Sequence, residues 1–354
     1  MTNTVCLCDS NQTLTKGRSQ FDATNSIMMQ SCIIGSGAGL PERVVGNDFF
    51  SYLVDDADEW ISSRTGIRER RFVSPDESTS DLATRAARAA LTDAAISADE
   101  IDCIVVGTST PDMILPATAC MVQKEIGAKN AFAFDINSVC GSFVFALDTA
   151  DSFIRAGKAR TALVIGADTY SKILNFDDKT TAPLFGDGAA AVIIRGEEGS
   201  EKGIITSFIR TDGNGWPLIQ VPSSGSRKPV TAETIAAKEN TFYMAGKPVY
   251  VFATSAIPEL IQTICSKAGI QPADLDWLIP HQANLRIIDA VAKKHDIPKE
   301  KFLVNLQKYG NTSAASVGLA LNEFRQDGTI KPGQLVLVMG FGGGLSWGGL
   351  LIRF

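Results

Sequence analysis

From Ile33 onward the chain alternates short runs of β-branched and apolar residues with longer stretches whose apolar positions recur at helical spacing. Residues 101–106, 131–136 and 162–165 read as strands, and 117–126 read as a helix. Two further runs, 189–194 and 335–339, are apolar throughout, which predicts strands covered on both faces. Helices must then flank each sheet, an α/β order.

One plan is written twice. A shift of 174 positions carries Ala95-Ile96-Ser97-Ala98-Asp99-Glu100-Ile101-Asp102 onto Gly269-Ile270-Gln271-Pro272-Ala273-Asp274-Leu275-Asp276, and the same shift carries Leu163-Val164-Ile165-Gly166 onto Leu337-Val338-Met339-Gly340. An offset kept at two distant places marks a duplication. Between these anchors each half holds one small, apolar helical stretch, 141–156 and 312–326, followed closely by Gly157 and Gly328. Two similar sheets enclosing these two helices give five layers, α-β-α-β-α. The expected halves are residues 32–205 and 206–354, with 206–246 as loop and strand joining them. Residues 1–31 are polar and lack the apolar core of a signal peptide, so they are expected to be a flexible extension, with Met28 or Met29 as alternative starts.

Composition narrows the function. A net charge of −6 and a pI near 5.1 leave no basic stripe for nucleic acid. Seven scattered cysteines without a CxxC pair suit a reducing cytoplasm and no metal site, and no apolar run reaching about 18 residues is apparent for a membrane span.

Cys140 follows an apolar strand and opens the first small helix, where unpaired N–H groups and the macrodipole favour a thiolate. Asn311 opens the second, and His281 ends the apolar run 275–279. Singly each has an ordinary reading: a core thiol, a helix cap, a hydrogen-bonded core histidine. Together they form a convergent site for thioester chemistry, in which a thiolate takes up an acyl group and a neutral His and Asn pair meets enolate charge on a second thioester. No cofactor is required.

Several motifs are specific: Asp58-Glu59-Trp60-Ile61, Arg64-Thr65-Gly66-Ile67, Gly186-Asp187-Gly188-Ala189, Pro280-His281-Gln282-Ala283-Asn284, Gly310-Asn311-Thr312-Ser313-Ala314 and Phe341-Gly342-Gly343-Gly344. Through them the chain from about Ile33 to Phe354 resembles β-ketoacyl-ACP synthase III, the initiating condensing enzyme of bacterial fatty-acid synthesis, of the thiolase fold. The resemblance implies that Cys140 is acylated from an acyl-CoA. His281 and Asn311 would stabilise the enolate formed as malonyl-ACP loses carbon dioxide, and the N–H groups of Cys140 and Gly343 would hold the oxyanion. Trp60, Arg64, Lys179 and Gly246 would bind coenzyme A; Arg286, Lys293 and Lys294 would meet the acyl carrier protein; the enzyme would be a cytoplasmic homodimer.

The chain departs from the family around the nucleophile, Ser138-Val139-Cys140-Gly141-Ser142, and at Leu115, where a phenylalanine commonly closes the partner's acyl pocket. Lys179 replaces an arginine and Val251 a basic residue. These departures leave room for a specialised condensing enzyme or acyltransferase of a secondary pathway, or a non-catalytic scaffold subunit.

Overall fold

The computed structural model describes residues 29–354, except for the side chain of His295. In the N-terminal half β1 (Met29–Gly39) leads to a small excursion, β2 (Arg43–Gly46) paired with β3 (Glu69–Phe72), with α1 (Ala57–Thr65) between them. There follow α2 (Thr79–Ala94), β4 (Cys103–Gly107), α3 (Thr118–Ile126), β5 (Phe132–Ile136), α4 (Ser142–Arg155), β6 (Thr161–Thr169) and β7 (Asp187–Glu198). The second half begins with β8 (Gly203–Thr211) and a second excursion, β9 (Ile219–Gln220), α5 (Ala232–Ala236) and β10 (Tyr243–Met244). It closes with α6 (Gly246–Ala268), β11 (Trp277–Pro280), α7 (Leu285–His295), α8 (Leu306–Tyr309), α9 (Ser316–Gln326), β12 (Leu335–Gly342) and β13 (Ser346–Arg353).

The sheets repeat one topology, β1-β7-β6-β4-β5 in the first and β8-β13-β12-β11 in the second. Cys103 and Trp277 start equivalent strands, as do Thr161 and Leu335, and each pair is 174 residues apart. The fifth strand has no full counterpart: α8 takes its place in the chain, and Phe302 makes a single parallel bridge to Leu278.

Alternation along the strands builds the layers. Val105 and Val164 face inward onto α4 and α9, whose Phe143, Leu147 and Val317 also meet Val336 and Val338 of the second sheet. Ile104 and Ile165 face outward onto α2 and α3. On the far side Leu337 and Met339 pack on α6 and α7. The five-layered thiolase fold is therefore present as expected. Two helices share the middle layer, so backbones come close: a Cβ on Gly166 would lie 2.3 Å from the Ala314 carbonyl oxygen.

Two boundaries and one reading of composition differ from expectation. Met29, Gln30 and Ser31 pair with Glu198, Glu197 and Gly196, so they belong to the first sheet rather than to an extension; residues 1–28 lie outside the described residues. The division at 205/206 falls within β8, because the turn after Glu198 already hands the chain to the second sheet. Finally, α6 is long and apolar enough by composition to cross a membrane, which the sequence reading overlooked because Lys247, Glu259 and Lys267 interrupt it. Its Ala253, Ile257, Leu260 and Ile264 are instead packed in the outer layer.

Gly166→Ala should lower stability by about 1–3 kcal/mol, since an added methyl must displace backbone. Urea denaturation measures this, and an unchanged midpoint would contradict the close packing.

Candidate active site

The turn between β5 and α4 carries Cys140 on one turn of tight helix, Val139–Gly141. Val139 has φ 51°, a left-handed conformation unfavourable for a β-branched residue. Hydrogen bonds hold it: the Val139 N–H donates to Asn137 Oδ1 (3.1 Å), and Ser142 Oγ accepts from the Ser138 N–H (2.8 Å) and donates to the Val139 carbonyl (2.7 Å). The second half repeats this turn. Ser313 has φ 48°, and its N–H donates to Asn311 Oδ1 at 2.9 Å. The shift of 174 thus places Asn311 on Asn137, Ser313 on Val139 and Ser316 on Ser142; the exact counterpart of Cys140 is Ala314.

Because Oδ1 of Asn311 is engaged by backbone, its amide N–H₂ is left to the cavity. The backbone of Asn311 is clamped by the other half, its N–H donating to Leu184 O (2.9 Å) and its carbonyl accepting from the Gly186 N–H (3.0 Å). His281 follows β11, its N–H donating to Met339 O at 2.7 Å, and its Nδ1 lies 2.7 Å from Ser316 Oγ. With Ser316 donating to Nδ1, the neutral ring carries its proton on Nε2. Burial holds the ring neutral, pushing its pKa down to about 3.

Cys140, His281 and Asn311 line one cavity of about 200 Å³, walled by Leu184, Phe185, Ile219, Phe242 and Phe341. Burial pushes the Cys140 thiol up to about 12, against a hydrogen bond from Ser313 that lowers it. The sequence-level expectation of a helix-stabilised thiolate is corrected here. A macrodipole contributes about 0.3–1 kcal/mol, too little to offset the loss of water around an enclosed sulfur.

The cavity opens outward through Thr180, Leu184, Tyr250 and Asn284 into a second hollow of about 500 Å³, which also holds Trp60, Arg64, Lys179 and Arg286. The Arg64 guanidinium sits 4.7 Å from the Trp60 ring centroid, and Arg286 ties α7 to α1 through Ser63 O at 3.2 Å. Three cations at the mouth of an apolar tunnel suit a phosphate-bearing chain with an apolar end. Gly246 lines the inner cavity rather than the cationic mouth. Gly343 follows β12, where an added Cβ would lie 2.9 Å from Val139 Cγ2, and a Cβ on the preceding Gly342 would stand 2.7 Å from the Cys140 nitrogen, so only glycine leaves that N–H open.

Other expected residues lie apart. Lys293 and Lys294 are exposed on α7 and line neither hollow. Leu115 is 77% exposed on the loop before α3 and does not line the Cys140 cavity of its own chain. Ser313 and Ser316 were missed as site residues, although the shift that matches Ser316 to Ser142 would have found one. Phe242 was missed because its segment carries no periodic pattern.

Residues 134–213 match the family model for 3-oxoacyl-[acyl-carrier-protein (ACP)] synthase III, and residues 265–354 match the model for its C-terminal part. The β-ketoacyl-[acyl-carrier-protein] synthase III of Bordetella petrii is 46% identical over 331 residues, 92% of this chain and 98% of that protein. The crystal structure of 3-oxoacyl-[acyl-carrier-protein] synthase III from Aquifex aeolicus VF5 covers 92% of this chain and 100% of its own, with a TM-score of 0.84 and 41% identity. The priming β-ketosynthase of the R1128 polyketide pathway covers 92% and 97%, with a TM-score of 0.85 and 32% identity. Fold and site define a thiolase-fold condensing enzyme, an acyltransferase. More narrowly, the chain belongs to the β-ketoacyl-acyl-carrier-protein synthase III family.

A neutral buried His281 has a pH signature. Below about pH 6.5 the unfolded ring binds a proton that the folded ring refuses until about pH 3, so stability is lost as pH falls through that window. Between pH 6.5 and 5 the wild type should lose about 1–2 kcal/mol more than His281→Gln in guanidinium denaturation. Parallel curves for the two proteins would contradict a proton-refusing ring.

Proposed function

We propose that the chain carries out the initiating condensation of fatty-acid synthesis, joining an acyl-CoA primer to malonyl-ACP through an acyl-Cys140 intermediate. One observation carries this reading: Cys140, His281 and Asn311 line the same apolar cavity, with His281 Nδ1 and Asn311 Oδ1 already engaged, so that Nε2 and Nδ2 are left for a substrate oxygen.

In the first half-reaction the Cys140 sulfur attacks the primer carbonyl, the bond to the coenzyme A sulfur breaks, and coenzyme A leaves with the proton. The N–H groups of Cys140 and Gly343 hold the oxyanion. In the second, malonyl-ACP enters with its thioester oxygen between His281 and Asn311. The carboxylate meets an apolar wall that solvates it poorly, so loss of carbon dioxide is favoured, and the charge moves to the oxygen where the two donors wait. The resulting carbon attacks the acyl-cysteine and the Cys140 sulfur is expelled. Electrons and atoms balance without a redox group or metal, so no cofactor is invoked. Neutral donors suit this task, because a cationic ring would stabilise the malonyl carboxylate as well as the enolate.

Trp60, Arg64 and Lys179 at the tunnel mouth are assigned to the nucleotide end of coenzyme A, with Gly246 deeper along the tunnel. Arg286, Lys293 and Lys294 on α7 are assigned to the acidic carrier protein. The exposed run Met113, Ile114 and Leu115 (47, 85 and 77% exposed) supports a homodimer in which Leu115 enters the partner's acyl pocket, and the free cysteines suit the cytoplasm. The 46% relatives bear the initiation enzyme's name, whereas the polyketide enzyme stands at 32%, so the specialised-pathway reading is not favoured.

Intact-mass analysis after mixing with acyl-CoAs from acetyl to dodecanoyl should reveal one acyl adduct, absent from Cys140→Ala. No adduct from any of them would overturn the CoA-primed reading. Leu115→Phe should shift preference in donor competition toward shorter or unbranched primers; an unchanged ranking would remove Leu115 from the pocket.

A further inference from the structure

Behind the Cys140 sulfur lies a set of buried polar side chains that the steps above leave without a task. The Ser313 hydroxyl donates to Cys140 Sγ at 3.3 Å, crossing from the second half to the first. Its own N–H is committed to Asn311 Oδ1, so orienting the amide is done by backbone, and the hydroxyl reaches the sulfur with Asp168 and Tyr170 beside it. At φ 48° Ser313 holds a conformation that non-glycine residues seldom adopt, and such strain persists only where the surroundings enforce it.

Asp168, at the end of β6, enforces it. Its Oδ2 accepts the Ala314 N–H at 3.0 Å, and its Oδ1 accepts the N–H groups of Ser109 (2.8 Å) and Thr110 (3.0 Å) and the Thr110 hydroxyl (2.8 Å). Ser109 Oγ in turn lies 3.2 Å from the Tyr170 hydroxyl. Asp168 and Ser313 have no exposed surface, and Tyr170 is 1% exposed, stacked on the cavity residue Phe185 at 4.6 Å between ring centroids. A fully enclosed carboxylate is costly and is retained here with a complete set of donors.

We propose that Ser313 is a catalytic residue of acyl transfer, its hydroxyl donating to the Cys140 sulfur to stabilise the thiolate, and that Asp168 is the positioning residue that pins the Ser313 turn in place. The inference rests on Cys140 being the acylated nucleophile. The sulfur bears negative charge twice in the cycle. It does so once when the S–H bond breaks and the S–C bond to the primer forms, with the proton leaving on coenzyme A. It does so again when the new carbon–carbon bond forms and the sulfur is expelled with its electron pair, to be reprotonated from water. The Ser313 hydroxyl at 3.3 Å serves both moments, with the Tyr170 hydroxyl as a second group that favours the thiolate. The Asp168 charge works against the thiolate, and the hydroxyl of Ser313 works for it. Placed on the sulfur, the hydroxyl stands between a buried acid, whose pKa burial pushes up, and a nucleophile that must itself become charged.

The test is the pH profile of Cys140 alkylation by iodoacetamide, read by mass spectrometry of the Cys140 peptide, in wild type, Ser313→Ala and Ser313→Gly. Glycine accepts the left-handed backbone, so at least one variant keeps the turn without the hydroxyl. Both variants should alkylate Cys140 roughly 10-fold more slowly than wild type at each pH and take up primer roughly 10–100-fold more slowly at neutral pH. Carbon dioxide release from malonyl-ACP, assigned to His281 and Asn311, should fall less than acylation does. An unchanged alkylation profile in both variants would overturn the proposal, and so would equal losses of acylation and carbon dioxide release, which would make Ser313 structural. Wild-type protein that takes no acyl group on Cys140 would instead overturn the broader reading, and this one with it.

Discussion

Two helices share one layer between two sheets, and that crowding governs the rest of the molecule. Packed helices lie about 8–10 Å apart depending on the side chains between them, and small residues here stand at the points of closest approach. Gly166 lies under Ala314, and Gly340 lies under Gly141 and Val144. The tight packing forces the turns entering α4 and α9 to meet, so the sulfur of one half and the amide of the other share a cavity that neither half encloses alone. Backbone bonds from residues 184 and 186 to Asn311, and from Ala314 to Asp168, fasten the halves at that point.

The same burial sets the electrostatics. It pushes the thiol up to about 12 and the imidazole down to about 3, so both are neutral at rest. A neutral, apolar cavity admits thioesters and makes a carboxylate uncomfortable. Charge arises only during reaction, on oxygen or on sulfur, and the Asn311 amide and the His281 ring that face it are each fixed by another hydrogen bond. This is preorganisation by backbone, as the Oδ1 of Asn311 and the Nδ1 of His281 illustrate. Cations are kept to the mouth of the tunnel, where Arg64, Lys179 and Arg286 stand in water on a chain whose net charge is −6.

Much of this was legible in the sequence because duplication and periodicity are local signals. The shift of 174 found the paired strands, and small residues at 141–146 and 313–320 marked the central helices. Cys140, His281 and Asn311 stood at element ends, where chemistry is expected. What was not legible depends on contacts between distant segments. Phe242 and Ile219 close the cavity from a stretch without pattern, and the role proposed for Ser313 depends on a left-handed turn that serine does not advertise. The division at 205/206 was misplaced because the chain changes sheets at the turn after Glu198, and Ile204-Ile205-Thr206 already lies inside β8. The thiol's protonation was misjudged because a helix start is visible in sequence and enclosure is not.

The central claim is a division of labour across the two halves, with Cys140 carrying the acyl group and Asn311 with His281 releasing carbon dioxide. The direct measurement is carbon dioxide release from malonyl-ACP, followed beside acyl uptake, in Cys140→Ala and in Asn311→Ala. Cys140→Ala should still release carbon dioxide without condensing, while Asn311→Ala should take up the acyl group yet release carbon dioxide about 10²–10³-fold more slowly. Release that vanishes with Cys140 and survives the loss of Asn311 would contradict the account.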